Sequence, residues 1–353
     1  MPFTVIYAFI ILVRNHAYKK GWFKSTPFQG PVITIGNLNT GGTGKTPHTA
    51  YLINYIKQNY AVGVLSRGYK RKTRGYKLVK TTSTAAQVGD EPLLLKWKFP
   101  GVNVAVSEDR VTGIPALTTE FEGDKVILLD DAFQHRAVQA GISILLTEYN
   151  NLFVDDSLLP MGRLREFKNG YKRADLIIVT KSPENLTQEQ KNKIIQRIQP
   201  TSYQYVFFSG IKYGSIYPVF DREATPINKN EIILLLTGIA NPKPMNLYLV
   251  QFFENIYERH FEDHHLFSDS DIESIINTIK GLGESARVII TTEKDATRLY
   301  PYAKLFKENG IDVFCLPISV NFAPEEQQRF HKAIDLYLNH SIPKQEDEYK
   351  ENY

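Results

Sequence analysis

The stretch 31–46, PVITIGNLNTGGTGKT, decides how the rest of the chain is read. Val32, Ile33, Thr34 and Ile35 form a short β-rich run, small turn-prone residues follow, and Gly44, Lys45 and Thr46 close the stretch ahead of a helical pattern. Strand, glycine loop and helix start are the parts a phosphate cradle needs. Glycines let successive backbone N–H groups turn inward, and the helix N-terminus favours anions. A lysine reaches the terminal phosphates, and a threonine hydroxyl serves Mg²⁺. The match to the P-loop pattern is incomplete at Asn39, where glycine is expected. Gly41 and Gly42 supply flexibility instead, and asparagine tolerates left-handed backbone better than most residues.

The totals set the frame for this loop. At 353 residues the chain is long for one domain and comfortable for two, each able to bury its own core. With 42% hydrophobic and 23% charged residues it is neither wholesale disordered nor a multi-span membrane protein. A net charge of +4 is mild and does not argue for nucleic acid. The single cysteine, Cys315, cannot form an internal disulfide; its apolar setting, DVFCLPI, predicts a buried thiol and fits a reducing compartment.

Ahead of the loop, residues 3–13, FTVIYAFIILV, are almost all apolar, and Arg14, His16, Lys19, Lys20 and Lys24 follow with Trp22 and Phe23 among them. The run is too short to span a bilayer, which needs about 20 apolar residues. It also lacks the basic start and cleavage site of a secretory signal. Two readings stand: a first helix packed on the core, or an interfacial helix whose apolar face enters lipid while lysines and Trp22 sit at headgroup level.

After the loop, residues 47–57 read as a helix and 61–66 as a buried strand running into the basic stretch RGYKRKTRGYKLV. Arg67, Lys70 and Arg71 stand there beyond a strand end, a position as consistent with an anion-facing role as with a solvated loop. Asp90 and Glu91 open an apolar helix. Carboxylates are favourable at the positive end of a helix, yet phosphoryl transfer also needs one to take the acceptor proton, and Asp90 is a candidate. Another strand, VNVAVS, leads to Glu108, Asp109 and Arg110. VILLDD, 126–131, has the form of a Walker B strand, with Asp130 and Asp131 both candidates for Mg²⁺. Phe133, Gln134, His135 and Arg136 complete that loop. Further strands are expected at 142–147, 175–180 and 203–210, and the loop LLPMGRLREF sets Arg163, Arg165 and Glu166 at the same edge. A polar turn, 221–230, opens a second alternation with strands at 231–237, 256–260, 287–292 and 311–316. By themselves His264 and His265 read as polar loop residues, and the tail from Ile342 as polar and frayed.

The ordered set RNHAYKKG, ITIGNLNTGGTGKTP, LSRGYKRK, VGDEPLLL, DDAFQHR, LPMGRLRE, DLIIVTK, FEDHH and TTEKDATRL resembles the tetraacyldisaccharide 4′-kinases, which phosphorylate the lipid A precursor of Gram-negative bacteria. The motifs run over most of the chain, and Ala132 is a departure where the family usually has glycine.

The resemblance implies an α/β protein of two doubly wound α/β/α domains, the first of P-loop NTPase type. Residues 1–25 would form a membrane-associated interfacial helix, 26–215 the P-loop kinase domain, 216–335 a second α/β domain completing the active-site cleft, and 336–353 a polar tail. It implies a peripheral protein on the cytoplasmic face of the bacterial inner membrane, using ATP and Mg²⁺ on an acylated disaccharide lipid. Nothing points to a protein partner.

Thr40, Gly41, Gly42, Thr43, Gly44, Lys45 and Thr46 would hold the ATP phosphates, and Thr46, Asp131 and Glu166 the Mg²⁺. Asp90 looks like the family's catalytic base, supported by His264 from the second domain, with His265 adjacent. Asn37, Arg67, Lys70, Arg71, Glu91, Arg110, Asp130, Gln134, His135 and Arg165 would face the substrate. A P-loop GTPase or ATPase driving a partner, and a non-catalytic membrane-associated nucleotide-binding scaffold, are the alternatives.

Overall fold

Strand Val32–Asn37, the one that feeds the glycine loop, is buried along its whole length. In the computed structural model, which describes residues 2–220, 227–283 and 286–342, it pairs in parallel on both sides. One neighbour is Lys125–Asp130, with Ile35 opposite Asp130; the other is Ile142–Glu148. The sheet continues in parallel through Leu176–Thr180 to Tyr205–Tyr213 on one side and to Ala61–Ser66 on the other. Bulky aliphatics along both faces of these strands match a sheet covered on both sides. Each strand predicted from sequence here is present within a few residues of its expected bounds.

Within the described residues the chain forms two compact units. The first takes Met1–Leu65, Arg110–Gly210 and Asn321–Tyr353; the second takes Ser66–Asp109 and Ile211–Val320. The sequence reading drew 26–215 and 216–335 as continuous segments, whereas Ser66–Asp109 groups with the later half and the C-terminal helix with the first. That helix, Pro324–Ser341, packs on the P-loop helix: the Tyr51 hydroxyl lies 2.8 Å from His331 Nε2, and the Tyr55 hydroxyl donates to Asp335 at 2.8 Å. Residues 336–341 are therefore helical rather than tail, and the remainder of the tail beyond Ile342 lies outside the described residues.

Among the described residues the later segment of the second unit builds a sheet with four parallel strands, in the order Asp312–Leu316, Val288–Thr292, Ile232–Thr237 and Asn255–His260, with Tyr217–Pro218 added antiparallel. Helix Asp269–Gly281 shows why its sequence folds locally. Ser268 and Asp271 form a capping box, and Ile272, Ile275, Ile276 and Ile279 recur at helical spacing, all buried against that sheet. Each such isoleucine contributes about 1.5–3 kcal/mol relative to an exposed one. Cys315 is buried there, as its setting predicts. Of the polar turn 221–230, residues 221–226 lie outside the described residues.

The first helix, Pro2–Lys19, packs on the first unit along one face and leaves apolar side chains exposed on the other. Positions 4, 7, 8, 11, 14, 15 and 18 form one face that is at least partly covered, and the Tyr7 hydroxyl donates to Arg165 O at 2.7 Å. Phe3, Val5, Ile6, Phe9, Ile10, Leu12 and Val13 stay exposed, from 49% for Val13 to 72% for Phe3. Among the described residues no helix is long and apolar enough to cross a membrane.

Candidate active site

In the first unit, Gly44 caps the P-loop helix Lys45–Ile56 with φ 85°, a left-handed conformation that favours glycine, and so lets the loop turn into the helix start. The loop is held from behind. Asn37 Nδ2 donates to Thr43 Oγ1 at 2.9 Å, and Thr180 Oγ1 to Thr43 O at 3.0 Å. His48 Nδ1 sits 2.7 Å from Gly44 O and Nε2 2.9 Å from Ser209 Oγ; burial pushes its pKa down to about 4, so the ring is neutral.

The loop 158–166 runs beside the glycine loop. Thr40 N–H donates to Arg163 O and Arg165 N–H to Leu38 O, both at 2.7 Å. Asn39 is not in left-handed backbone, contrary to the reason expected for it. It is buried instead, with Nδ2 donating to Asp156 Oδ2 at 2.7 Å, so its side chain ties the two loops in a way glycine could not. Gly41 and Gly42 are exposed, while Thr43, Lys45 and Thr46 are buried.

Asp130 and Asp131 part company because successive side chains at a strand end diverge. Asp130 is fully buried and accepts from Thr49 Oγ1 at 2.9 Å. Asp131, at φ 47°, turns to Lys45, whose Nζ lies 3.7 Å away, and to Arg165 at 2.9 Å. Burial pushes the Asp131 carboxyl up, but Lys45, Arg165 and Arg110 outweigh it and hold the pKa below the usual carboxylate range. Gln134 Nε2 donates to Asn37 O at 2.7 Å and to Glu166 Oε1 at 3.2 Å, and Arg173 pairs with the same Glu166 oxygen at 2.8 Å. His135 is partly buried on the same turn.

Asp131 and Glu166 are thus linked through Arg165 and Gln134, near a lysine and beside the glycine loop. No cluster of three or more His, Cys, Asp or Glu among the described residues could hold a metal by itself. Two carboxylates and the Thr46 hydroxyl are hard oxygen donors of the kind that suit Mg²⁺, which usually completes its shell with phosphates and water. The donor set fits a nucleotide-borne ion.

In the second unit, Asp90 starts helix Asp90–Lys98, is 4% exposed, and accepts from the Glu91 N–H at 2.9 Å. Gly89 precedes it at φ 90°, with the Gly68 Cα only 3.1 Å from where a Cβ would stand. His264 Nδ1 lies 2.8 Å from Asp90 Oδ2, and a T-shaped contact with Tyr69, centroids 5.1 Å apart, supports the ring. His265 turns away to Asp271 at 3.0 Å and stacks on Phe261. Of the two histidines, His264 is the one that meets Asp90.

Burial disfavours an ionised Asp90, but the His264 hydrogen bond, Lys294 and Arg298 outweigh it, leaving its pKa far below the usual carboxylate range. Asp90 and His264 fall within one unit, because Ser66–Asp109 groups with it. The pair is formed inside that unit and needs no assembly from two.

Other expected residues are divided between the units. Lys70 Nζ donates to Asp263 O at 3.1 Å, and Arg67 is exposed. Arg71 pairs with Glu108 at 2.7 Å, and Glu91 with Lys294 at 2.9 Å. Arg110 is buried in the first unit, among the charges that act on Asp131.

Residues 1–339 match the family model described as Tetraacyldisaccharide-1-P 4'-kinase. The chain belongs to that family. A tetraacyldisaccharide 4'-kinase of Bacteroides thetaiotaomicron is 45% identical over 349 residues, covering 96% of this chain and 92% of the relative. One from Flavobacterium johnsoniae is 44% identical over 342 residues, covering 97% of each. A crystal structure of LpxK from Aquifex aeolicus in complex with ATP superposes with a TM-score of 0.73 at 28% identity, over 96% of this chain and 98% of that one.

Against this family background, several residues at the two sites escaped the sequence reading. Arg173, the partner of Glu166, ends a short 3-10 helix, Lys168–Arg173, with no motif of its own. Thr49 and Asp156 act through side-chain bonds between segments distant in sequence. Lys294, Asp295 and Arg298 did carry a signal in TTEKDATRL: Thr292 caps the helix by accepting from the Asp295 N–H at 3.1 Å, and Asp295 pairs with Arg298 one turn on.

Proposed function

We propose that this chain transfers the γ-phosphate of ATP to the 4′-hydroxyl of a tetraacyldisaccharide 1-phosphate, a step of lipid A biosynthesis. The observation that carries the reading is the buried Asp90–His264 pair in a family member that also has a P-loop. An acceptor hydroxyl must lose its proton as it is phosphorylated, and Asp90, held ionised, is ready to take it. Lys45 and the amides of residues 40–46 bind the phosphates, while Thr46, Asp131 and Glu166 hold Mg²⁺. When bound, that ion neutralises charge developing on the transferred group.

The sugar oxygen forms a bond to the γ-phosphorus as the bond from phosphorus to the ADP oxygen breaks, and the hydroxyl proton passes to Asp90. His264, donating from Nδ1, orients that carboxylate. Arg67 and Lys70 supply positive charge toward the substrate's existing 1-phosphate. Asn37, Arg110, Asp130, Gln134, His135 and Arg165 in the first unit, and Arg71 and Glu91 in the second, are the further residues we read as meeting substrate.

We read the exposed face of Pro2–Lys19 as interfacial. Phe3, Phe9 and Ile10 enter the acyl boundary and Lys19, Lys20 and Lys24 meet anionic headgroups, on the cytoplasmic face where ATP is available. Replacing Phe9 and Ile10 by aspartate should abolish sedimentation with anionic vesicles and leave turnover of detergent-dispersed acceptor unchanged.

The deciding assay supplies γ-labelled ATP with and without tetraacyldisaccharide 1-phosphate. Label in the lipid only when acceptor is present is the expected result. Acceptor-independent release of inorganic phosphate would instead make the protein a nucleotide hydrolase, and ATP binding without turnover a scaffold.

A further inference from the structure

Arg298 plays no part in the phosphate cradle, yet its side chain is only 1% exposed and several groups of the second unit converge on it. One terminal nitrogen donates to Gly238 O at 3.0 Å and pairs with Asp295; the other donates to His265 O at 2.8 Å. Nε makes no hydrogen bond and faces Asp90 Oδ2 at 3.6 Å. The same Gly238 O accepts the His264 N–H at 3.2 Å, and the Gly238 N–H donates to Asp295 Oδ1 at 3.1 Å. A single guanidinium therefore reaches both the carboxylate and the loop that carries the imidazole.

That loop needs support. His264 has φ 59°, a region that residues other than glycine seldom adopt, so its backbone holds this shape only while surrounding bonds over-determine it. The planar, always charged fork of arginine suits this double task, which a lysine point charge cannot copy.

We propose that Arg298 is the positioning residue of this site: its fork holds the 260–265 loop so that His264 meets Asp90, and its charge stands against the Asp90 carboxylate. The proposal rests on the reading of Asp90–His264 as the proton-handling pair. Around Asp90 the other charged groups are Lys294, paired with Glu91, and Asp263, whose carboxylate is 3.8 Å from His264 Nε2; Asp295 is taken up by Arg298. With Arg298 gone, Lys294 remains, so Asp90 should shift upward without losing all its support.

Arg298→Lys and Arg298→Gln test this in the full chain, with kcat, both KM values and the pH profile of kcat measured, and Asp90→Asn run alongside. Arg298→Lys keeps the charge and loses the fork: kcat should fall by about tenfold to a hundredfold, the KM values stay within about twofold, and the acid limb stay in place. Arg298→Gln should lose more and move the acid limb to higher pH.

Wild-type kcat in folded Arg298→Lys overturns the proposal, as does a loss confined to the lipid KM. An unmoved acid limb in Arg298→Gln overturns the electrostatic half. Should Arg298→Gln fail to fold, the lysine variant alone decides. Full activity of Asp90→Asn would remove the base reading itself, whereas loss there with intact arginine variants removes only the positioning role.

Discussion

The two charged clusters of this protein are built on opposite plans. In the first unit Lys45, Asp131, Arg165, Gln134, Glu166 and Arg173 form a chain in which the first contact, Lys45 to Asp131, is loose at 3.7 Å and Asp131 stays 29% exposed. In the second unit Asp90 is buried with its partners in place: His264 at 2.8 Å, the Glu91 amide at 2.9 Å and Arg298 behind. A site for phosphates and a metal, the role proposed for the first cluster, must leave charge partly unpaired and accessible, because the ligand itself completes the balance. A proton acceptor, the role proposed for Asp90, has no such need. Its geometry can be finished before substrate arrives, which lowers the reorganisation required at the moment of reaction.

The comparison breaks most sharply at its two centres. Lys45→Ala should lower kcat/KM by about a thousandfold or more and weaken ATP binding, whereas Asp90→Asn should lower kcat by about a hundredfold to ten-thousandfold with the ATP Kd nearly unchanged. Nucleotide titration and steady-state kinetics on both variants check this, and a large ATP Kd change in Asp90→Asn would erase the distinction.

The next effect separates two adjacent histidines. His264→Ala should cost about tenfold to a hundredfold in kcat. His265→Ala, which removes a contact to the Asp271 cap, should act on thermal stability and leave kcat within about twofold. Equal losses of kcat from the two substitutions would mean that the loop as a whole, and not the His264 ring, is what matters.

The smallest effect concerns pH. His48 has its pKa lowered from 6.5 to about 4 by burial, so the native state prefers the neutral ring. Its folded pKa lies below the unfolded one. The native state therefore binds fewer protons, and the stability from this group is complete above pH 6.5 and lost as pH falls toward 4, by up to about 3 kcal/mol. Asp90 and Asp131, also depressed, lose their contributions only below the usual carboxylate range, so the two windows are separate. Urea midpoints between pH 6.5 and 4 should slope downward in the wild type and flatten in His48→Gln. A slope that survives the substitution would assign the titration elsewhere.

Legibility in the sequence followed the range of the interactions. The strands and the P-loop helix depend on residues within one or two turns of each other, so periodicity and turn chemistry reveal them. The residues proposed to bind phosphate sit in one stretch and are visible for the same reason. Asp90 was ambiguous because a carboxylate at a helix start has a local electrostatic explanation. His264 could be tied to it only through the family resemblance. The reason for Asn39 was misread because its partner, Asp156, is more than a hundred residues away.

By itself, then, the sequence determined the alternation of strands and helices, the strand, glycine loop and helix of residues 32–56, and the apolar first helix, all consequences of local spacing and composition. Tertiary structure alone decided which aspartate meets Lys45, which histidine meets Asp90, and that Ser66–Asp109 belongs with the later half of the chain. Those outcomes depend on which distant segments pack together. A hydrogen bond spanning 174 residues, like that of His264 to Asp90, leaves no periodic trace in either segment.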